Sequence, residues 1–323
     1  MPQGNILPEG FLMSTPEIRS LVQTPEGLER ACREGTVLEG IADRCDAEHN
    51  LYVALPCATV CIPRSEAALG IAEGTARDIA VISRVGKPVC FRLYDVCGLH
   101  EPEPTVFGSR ADVSREARDC LCGNLHPGEV IRARVTHLEP FGCFADIGRG
   151  VVSMIGADRI SVSRIRHAGE RFRTGQDIYA VVLSTDETTG RIDLSHRELL
   201  GTWEQNACMF SPGETVRGIV RGVENYGIFV ELTPNLSGLA EPCPGVNDGD
   251  VVSVFIKSIS PERMKIKLVI IDHFSGERIF CPPRYFITGG RIPEFRYAPA
   301  VCTSRNDETF FCAGCTSEDV VIK

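Results

Sequence analysis

One stretch of this chain occurs twice. Pro127-Gly128-Glu129-Val130-Ile131-Arg132 returns 85 positions later as Pro212-Gly213-Glu214-Thr215-Val216-Arg217. The same offset relates Val135 to Val220, Glu139 to Glu224, Phe141 to Tyr226, Gly142 to Gly227, Phe144 to Phe229, Asp146 to Glu231 and Ile147 to Leu232. An aromatic-Gly-x-Phe run followed by an acid and an aliphatic, kept in one register, requires both copies to fold as the same small unit. This constrains the architecture more tightly than any compositional average.

Each copy continues with a Gly-aliphatic run (Gly150-Val-Val152 and Gly238-Leu-Ala240), then a Gly-acidic entry to a strand (Gly175-Gln-Asp177 and Gly249-Asp250). A short last strand follows in both, Gly190-Arg-Ile-Asp-Leu194 and Arg263-Met-Lys-Ile-Lys-Leu268. Runs such as VIRARVTHL and DIYAVVLS are rich in β-branched residues and bounded by Gly and polar turns, which is the pattern of strands. Five short strands in about 70 residues must cover their edges, and closure into a barrel does so. The Gly of the aromatic-Gly-x-Phe run permits a tight turn or a bulge in strand two or just before it.

A fainter copy lies upstream, where His49-Asn50-Leu51-Tyr52-Val53-Ala54-Leu55 aligns with Tyr226-Gly227-Ile228-Phe229-Val230-Glu231-Leu232 but lacks the Gly and the first aromatic. Residues 36–42 and 88–94 supply its first and fourth strands. A helix is expected from Ser114, as an N-cap, towards Asp119, and Ser195–Leu200 holds the matching place after the next unit. The expected divisions are an N-terminal extension (1–33), a degenerate unit (34–122), two good units (126–200 and 212–272) and a C-terminal extension (273–323). An amphipathic helix in the first segment is expected to pack on the first unit or to form a partner site. The interleaved Arg284-Tyr285-Phe286 and Arg296-Tyr297 suit docking on a barrel, with stacking on RNA as the other use.

These repeated residues resemble the S1 RNA-binding domain family, an OB-fold module named from bacterial ribosomal protein S1. The resemblance implies an all-β chain of tandem five-stranded OB-fold (S1-type) barrels joined by short helices, with a small C-terminal extension. It also implies that the aromatics flanking the Gly stack on RNA bases, a role that falls on Phe141 and Phe144 in one copy and on Tyr226 and Phe229 in the other. Stacking on an exposed ring is worth roughly 1–3 kcal/mol per base and tolerates any sequence; burial of those rings in a core is the competing reading. The family often carries a His shortly after the Gly-aliphatic pair. This chain has Ser153 in one copy and Glu241 in the other, and Glu241 repels phosphate unless it points away.

Overall charge argues against RNA, with 43 acidic residues against 34 basic ones and a net of −9. Its distribution reverses that inference. Residues 1–125 carry a net of −6, residues 126–200 are neutral, 201–272 carry −3 and 273–323 are neutral. The middle unit also holds an arginine-rich stretch, Arg159, Arg164, Arg166, Arg171 and Arg173. In an S1-type fold it joins strands three and four beside the aromatic face, where several phosphates are within reach. A solvated charged loop is the alternative. Arg132 and Arg134, alternate residues of one strand, point the same way. Arg217, Arg221 and Lys257, with Arg263, Lys265 and Lys267, form a second and weaker patch.

Other chemistries find little support. There are 15 cysteines, mostly single within apolar runs, as buried small hydrophobes of a reducing compartment would be. Cys312-Ala-Gly-Cys315 supplies two of the four ligands of a structural zinc, and Cys281 and Cys302 could complete the set only at spacings that match no zinc pattern. No cofactor is expected. No Ser/His/Asp grouping, HExxH or phosphate-binding loop is present, so an enzyme is not expected. No apolar run reaches the roughly 18 residues of a membrane span, and the N-terminus lacks the basic start of a signal peptide, so a cytoplasmic protein is expected. The sequence therefore points to a low-specificity binder of single-stranded RNA (mRNA) in translation or mRNA handling. The ribosome is a candidate partner, and the acidic first unit a candidate protein contact. A scaffold of decayed S1 domains and a nuclease-associated subunit are the alternatives.

Overall fold

The computed structural model describes residues 6–274, 280, 282–302 and 308–311. It contains three closed five-stranded barrels. The first is built from β1 (Leu38–Cys45), β2 (Leu51–Ala54), β3 (Thr59–Ile62), β4 (Pro88–Asp95) and β5 (Thr105–Ser109). The second comprises β6 (Val130–Glu139), β7 (Gly142–Gly148), β8 (Val151–Gly156), β9 (Asp177–Asp186) and β10 (Arg191–Ser195). The third comprises β11 (Thr215–Glu224), β12 (Gly227–Thr233), β13 (Leu236–Ala240), β14 (Val251–Ser260) and β15 (Lys265–Phe274). In each, the spatial order is strands one, two, three, five and four, with three and five parallel. A two-stranded ribbon, β16 (Glu294–Arg296) and β17 (Glu308–Phe310), lies near the C-terminus. The helices are short: α1 (Pro16–Leu21), α2 (Pro25–Glu34), α3 (Ile79–Ile82), α4 (Ala111–Asn124), α5 (Ala157–Ile160) and α6 (Trp203–Ala207).

Strand alternation fills each interior with β-branched and aliphatic side chains. Val135, Ala145, Ile155 and Val182 are buried in the second barrel, and Val220, Val230, Ala240 and Ile256 stand at the equivalent places in the third. The 85-residue offset holds in strand pairing throughout strands one to three: Phe144 lies opposite Met154 as Phe229 lies opposite Leu239. In strands four and five the offset falls to 74, so the loop between strands three and four is 11 residues longer in the second barrel. That loop contains the arginine cluster.

The pairing changes one sequence expectation. Gly150-Val-Val152 is not the counterpart of Gly238-Leu-Ala240; Gly150 lies in the turn into β8, and Ser153 takes the register position of Gly238. The comparison of Ser153 with Glu241 therefore joined non-equivalent positions, and Ser153 is buried. The expected tight turn is present, joining β6 to β7 directly before Gly142 and β11 to β12 directly before Gly227. The register shifts fall in strand one at Thr136 and Arg221 and in strand two between Asp146 and Gly148 and between Glu231 and Thr233. Gly142 and Gly227 are needed for a further reason. A Cβ at Gly142 would lie 2.3 Å from the Ile155 carbonyl oxygen, and one at Gly227 would lie 2.7 Å from that of Ala240.

The units are joined by buried polar contacts. α1 and α2 pack on the first barrel through Ile18, Leu21, Leu28 and Ala31. Just before them the chain bridges to the second barrel, where the Glu9 N–H donates to Asp146 Oδ2 at 2.7 Å. The Glu9 carboxylate accepts from Arg110 Nε and Nη2 at 2.8 and 2.9 Å. All three residues are almost wholly buried. Burial, together with the Glu9 carboxylate, pushes the Asp146 carboxyl up to about 7. α4 begins four residues earlier than expected, with Arg110 rather than Ser114 at the N-cap position. Ser109 Oγ accepts from the Asp112 N–H at its start, while Ser114 is buried and donates to the Arg149 carbonyl. The Ser195–Leu200 stretch forms only a single 3-10 turn, and the helix that follows it is α6, with a Thr202/Gln205 capping box.

The C-terminal segment docks on barrels two and three. Tyr285 Oη contacts His196 Nε2 at 3.1 Å, the Phe286 N–H donates to Leu199, and the Trp203 N–H donates to the Tyr297 carbonyl. Cys302 is buried, whereas Cys281, Cys312 and Cys315 lie outside the described residues. Among the described residues no group of three or more His, Cys, Asp or Glu could hold a metal ion, and no helix is long and apolar enough to cross a membrane.

Two outcomes follow from this packing. Gly142→Ala forces the β7–β8 backbones apart and should lower stability by about 1–3 kcal/mol in urea unfolding, the usual cost of overpacking. His196 is fully buried, and burial chiefly, aided by the Arg171 charge, lowers it to about 4 against its bond to the Ile160 carbonyl. Between its unfolded value near 6.5 and the folded value the unfolded chain binds the extra proton. Its contribution is therefore intact above roughly pH 6.5 and declines as pH falls towards 4. His196→Gln should flatten that part of the stability–pH curve.

Candidate nucleic-acid interface

The tight β6–β7 turn places Phe141 outside the barrel, and alternation along β7 puts Phe144 on the same outer face. Phe141 is 58% exposed and Phe144 half-buried. Their rings meet edge to face, with centroids 6.2 Å apart at 86°. The third barrel repeats the arrangement: Tyr226 is 67% exposed, Phe229 is also exposed, and their rings lie 6.1 Å apart at 88°. No ring of the four belongs to a core. Each pair leaves open faces on which a planar base can lie.

The cations are placed less simply than the sequence suggests. Arg171 is a correction: it is 4% exposed, ion-paired with Glu231 of the third barrel at 2.5 Å and bonded to Ser161, so it cannot reach a phosphate. Arg221 is another. It is held by Glu231 at 2.7 Å and by Glu170 and is largely buried. Arg166 pairs with Asp248, again across the two barrels. Arg134 pairs with Asp177 at 2.6 Å, donates to the Glu9 carbonyl and lies over the Phe11 ring. Arg159 is mostly buried beside Asp158, and Arg173 is exposed but donates to the Gly169 and Phe172 carbonyls and covers the Phe280 ring at 4.0 Å.

The loop from 157 to 173 is thus chiefly a joint. The Ser163 N–H donates to the Pro234 carbonyl at 2.9 Å, Ser163 Oγ meets Ser237 Oγ at 2.8 Å, and the Val162 N–H donates to Asn235 Oδ1 at 3.1 Å. Arg132, Arg164, Arg217 and Lys257 are exposed and have no ion-pair partner among the described residues. The same is true of Arg263, Lys265 and Lys267. Several of these line a groove of about 980 Å³ on the third barrel, together with Tyr226, Phe229 and Leu239. Arg164 lines it too, carried there by the second barrel's loop. The patch that looked weaker in sequence therefore has the more available positive charge, although Glu224 and Glu241 stand at the same groove.

The first barrel departs from the pattern. Tyr52 lies opposite Cys61 in the register of Phe229 and Leu239, but the Arg44 guanidinium sits 3.8 Å over its ring and its hydroxyl donates to Asp46 at 3.0 Å. Two aromatics absent from the sequence reading appear beside it. Tyr94 and Phe107 are exposed and stacked, with centroids 6.5 Å apart at 30°. The alternation of the charged Arg92 with Tyr94 across the apolar Leu93 was the available signal for the first. Phe107 depends on a fifth strand that the repeat did not reveal.

Comparison with known proteins agrees with this geometry. Residues 125–197 match the S1 RNA binding domain family. The chain is 31% identical over 181 residues to a small ribosomal subunit protein bS1 of Staphylococcus aureus, covering 51% of this chain and 46% of that one. It is 30% identical over 156 residues to the protein of the same name from Leuconostoc lactis, covering 45% and 36%. The chain thus matches less than half the length of these relatives. A crystal structure of a multidomain protein with nucleic acid binding domains from Streptococcus pneumoniae covers 74% of each chain at 14% identity, with a TM-score of 0.25, too low to add to the strand pairing.

The joint gives a direct test. Arg171→Ala leaves the buried Glu231 with Arg221 alone. It should lower stability by about 3 kcal/mol, the lower end for breaking a buried pair, in denaturant unfolding.

Proposed function

We propose that this chain, whose residues 125–197 match the S1 RNA binding domain and about half of which is similar to small ribosomal subunit protein bS1, is an S1-domain protein that holds single-stranded RNA with low sequence specificity. The observation that carries the reading is the repetition of one open, edge-to-face aromatic pair at the same register position of two barrels, Phe141 with Phe144 and Tyr226 with Phe229. Such pairs offer π-faces to any base and read no base edge. Arg132, Arg164, Arg217, Lys257, Lys265 and Lys267 supply uncancelled charge for phosphates. Two tethered sites raise overall affinity through effective concentration, without new contacts.

The relatives are named as small ribosomal subunit proteins, which supports a role in translation or mRNA handling, on or near the ribosome, in the cytoplasm. No catalytic step is assigned to this chain. Its units are proposed to divide as residues 34–122, 126–200 and 212–272, flanked by extensions. A second reading rests on the first barrel. Its covered Tyr52, its exposed Tyr94–Phe107 pair and the net charge of −6 over residues 1–125 suit a basic protein partner better than RNA.

Binding of the full chain to fluorescent single-stranded RNA across a salt series tests the main reading. Phe141→Ala and Tyr226→Ala should each weaken binding by about 1–3 kcal/mol, roughly 5- to 150-fold, and affinity should fall steeply with salt. A flat salt response with both variants unchanged would overturn the proposal and leave the protein-contact reading standing.

A further inference from the structure

The groove on the third barrel does not end at that barrel. A second cavity of about 480 Å³ lies between the 157–165 loop and the C-terminal ribbon, lined in part by Ser161, Arg197, Phe295 and Thr309. Val162, Ser163, Arg164 and Tyr297 line both cavities, so the two meet at these residues. The volume falls within the roughly 300–1,000 Å³ of small-ligand sites, enough for a nucleoside.

The side chains at the junction divide into two kinds. Val162 and Ser163 are bonded to the 234–237 turn and strand of the third barrel, and Arg166 and Arg171 are ion-paired across the joint. These contacts fix the backbone of residue 164. Arg164 itself is exposed, has no ion-pair partner among the described residues, and faces both cavities. A guanidinium held in this way by its neighbours, with its own hydrogen-bonding capacity unused, is preorganised for an acceptor supplied from outside. Asp158 also lines the smaller cavity, which disfavours a free anion there. A polyanion whose phosphate rests at Arg164, while a base enters the cavity beside Phe295 and Tyr297, avoids that repulsion.

We propose that barrels two and three form one composite RNA site. A single strand lying on Tyr226 and Phe229 passes a phosphate to Arg164 and continues into the cavity against the C-terminal ribbon. This rests on the RNA-binding reading above and extends it: the two barrels do not act as independent sites, and the C-terminal segment forms part of the track.

The test uses the full chain with a short and a long oligouridylate. Arg164→Ser should leave the thermal unfolding midpoint unchanged, reduce affinity for the long oligomer by roughly 3- to 10-fold, lower its salt slope by about 0.7, the value for one phosphate of a single strand, and spare the short one. A thiouridine at one end of the long oligomer should photocrosslink to the peptide containing Phe295 and Tyr297. If the wild-type chain binds no RNA, both this inference and the function it rests on fall. If it binds and Tyr226→Ala weakens binding, an unchanged salt slope in Arg164→Ser with no crosslink at Phe295 or Tyr297 overturns the composite site alone. Binding unaffected by Tyr226→Ala also overturns it, because the strand then does not lie on the third barrel.

Discussion

A buried carboxylate at the second strand of each later barrel governs how the molecule is put together. Glu231 accepts from Arg171 of the preceding barrel and from its own Arg221. Asp146 occupies the same position in the repeat and accepts the Glu9 N–H of the incoming N-terminal segment, beside Arg110. Charges taken out of water are costly to leave alone, so each acid holds its partner element in place. The first barrel has Ala54 at this position and so lacks the acid. The acid of the repeated motif thus belongs to the joints between units, while the aromatics one turn of pleat away belong to the open face.

This division explains why overall charge is a poor guide. Five arginines lie close together in the 159–173 loop, yet Arg166 and Arg171 are neutralised across the joint and Arg173 is bonded to backbone carbonyls. Of the second and third barrels, the third holds more of the exposed cations without an ion-pair partner among the described residues, although its whole-unit balance is negative. Local potential at a groove depends on which charges lack partners, and a sum over a segment counts paired and unpaired groups alike.

The barrels were legible because strand chemistry and repetition are local. An offset of 85 that persists through strands one to three reports the pairing of β6, β7 and β8 and of their later counterparts directly. The exposure of Phe141 and Tyr226 was open in the sequence, since a ring beside a glycine turn can face either way. The fate of the arginine loop was not legible at all. Whether Arg171 meets solvent or Glu231 depends on a contact across 60 residues between two separately folded units, and no periodicity encodes it. The tight turn at the motif glycines was legible from the sequence, but the packing behind it was not. The glycines also permit close approach of the third strand's carbonyl, a contact between strands that no local pattern reports.

The contrast among the barrels bears on which of them offers a face for stacking. In the first barrel the position of Phe229 is taken by Tyr52, whose face is occupied by Arg44 and whose hydroxyl is tied to Asp46. A base could stack there only by displacing a guanidinium already 3.8 Å from the ring, a cation–π contact worth about 0.5–2 kcal/mol. The exposed rings of that barrel, Tyr94 and Phe107, stand near Glu66 and Asp95, charges that also raise the Tyr94 hydroxyl after burial itself. A phosphate backbone is repelled by this surface, whereas the face of the third barrel has unpaired lysines around its aromatic pair. Three barrels of one topology therefore carry different surface chemistry, and the repeat preserves the frame while substitutions at a few outward positions decide which barrel presents an open aromatic face.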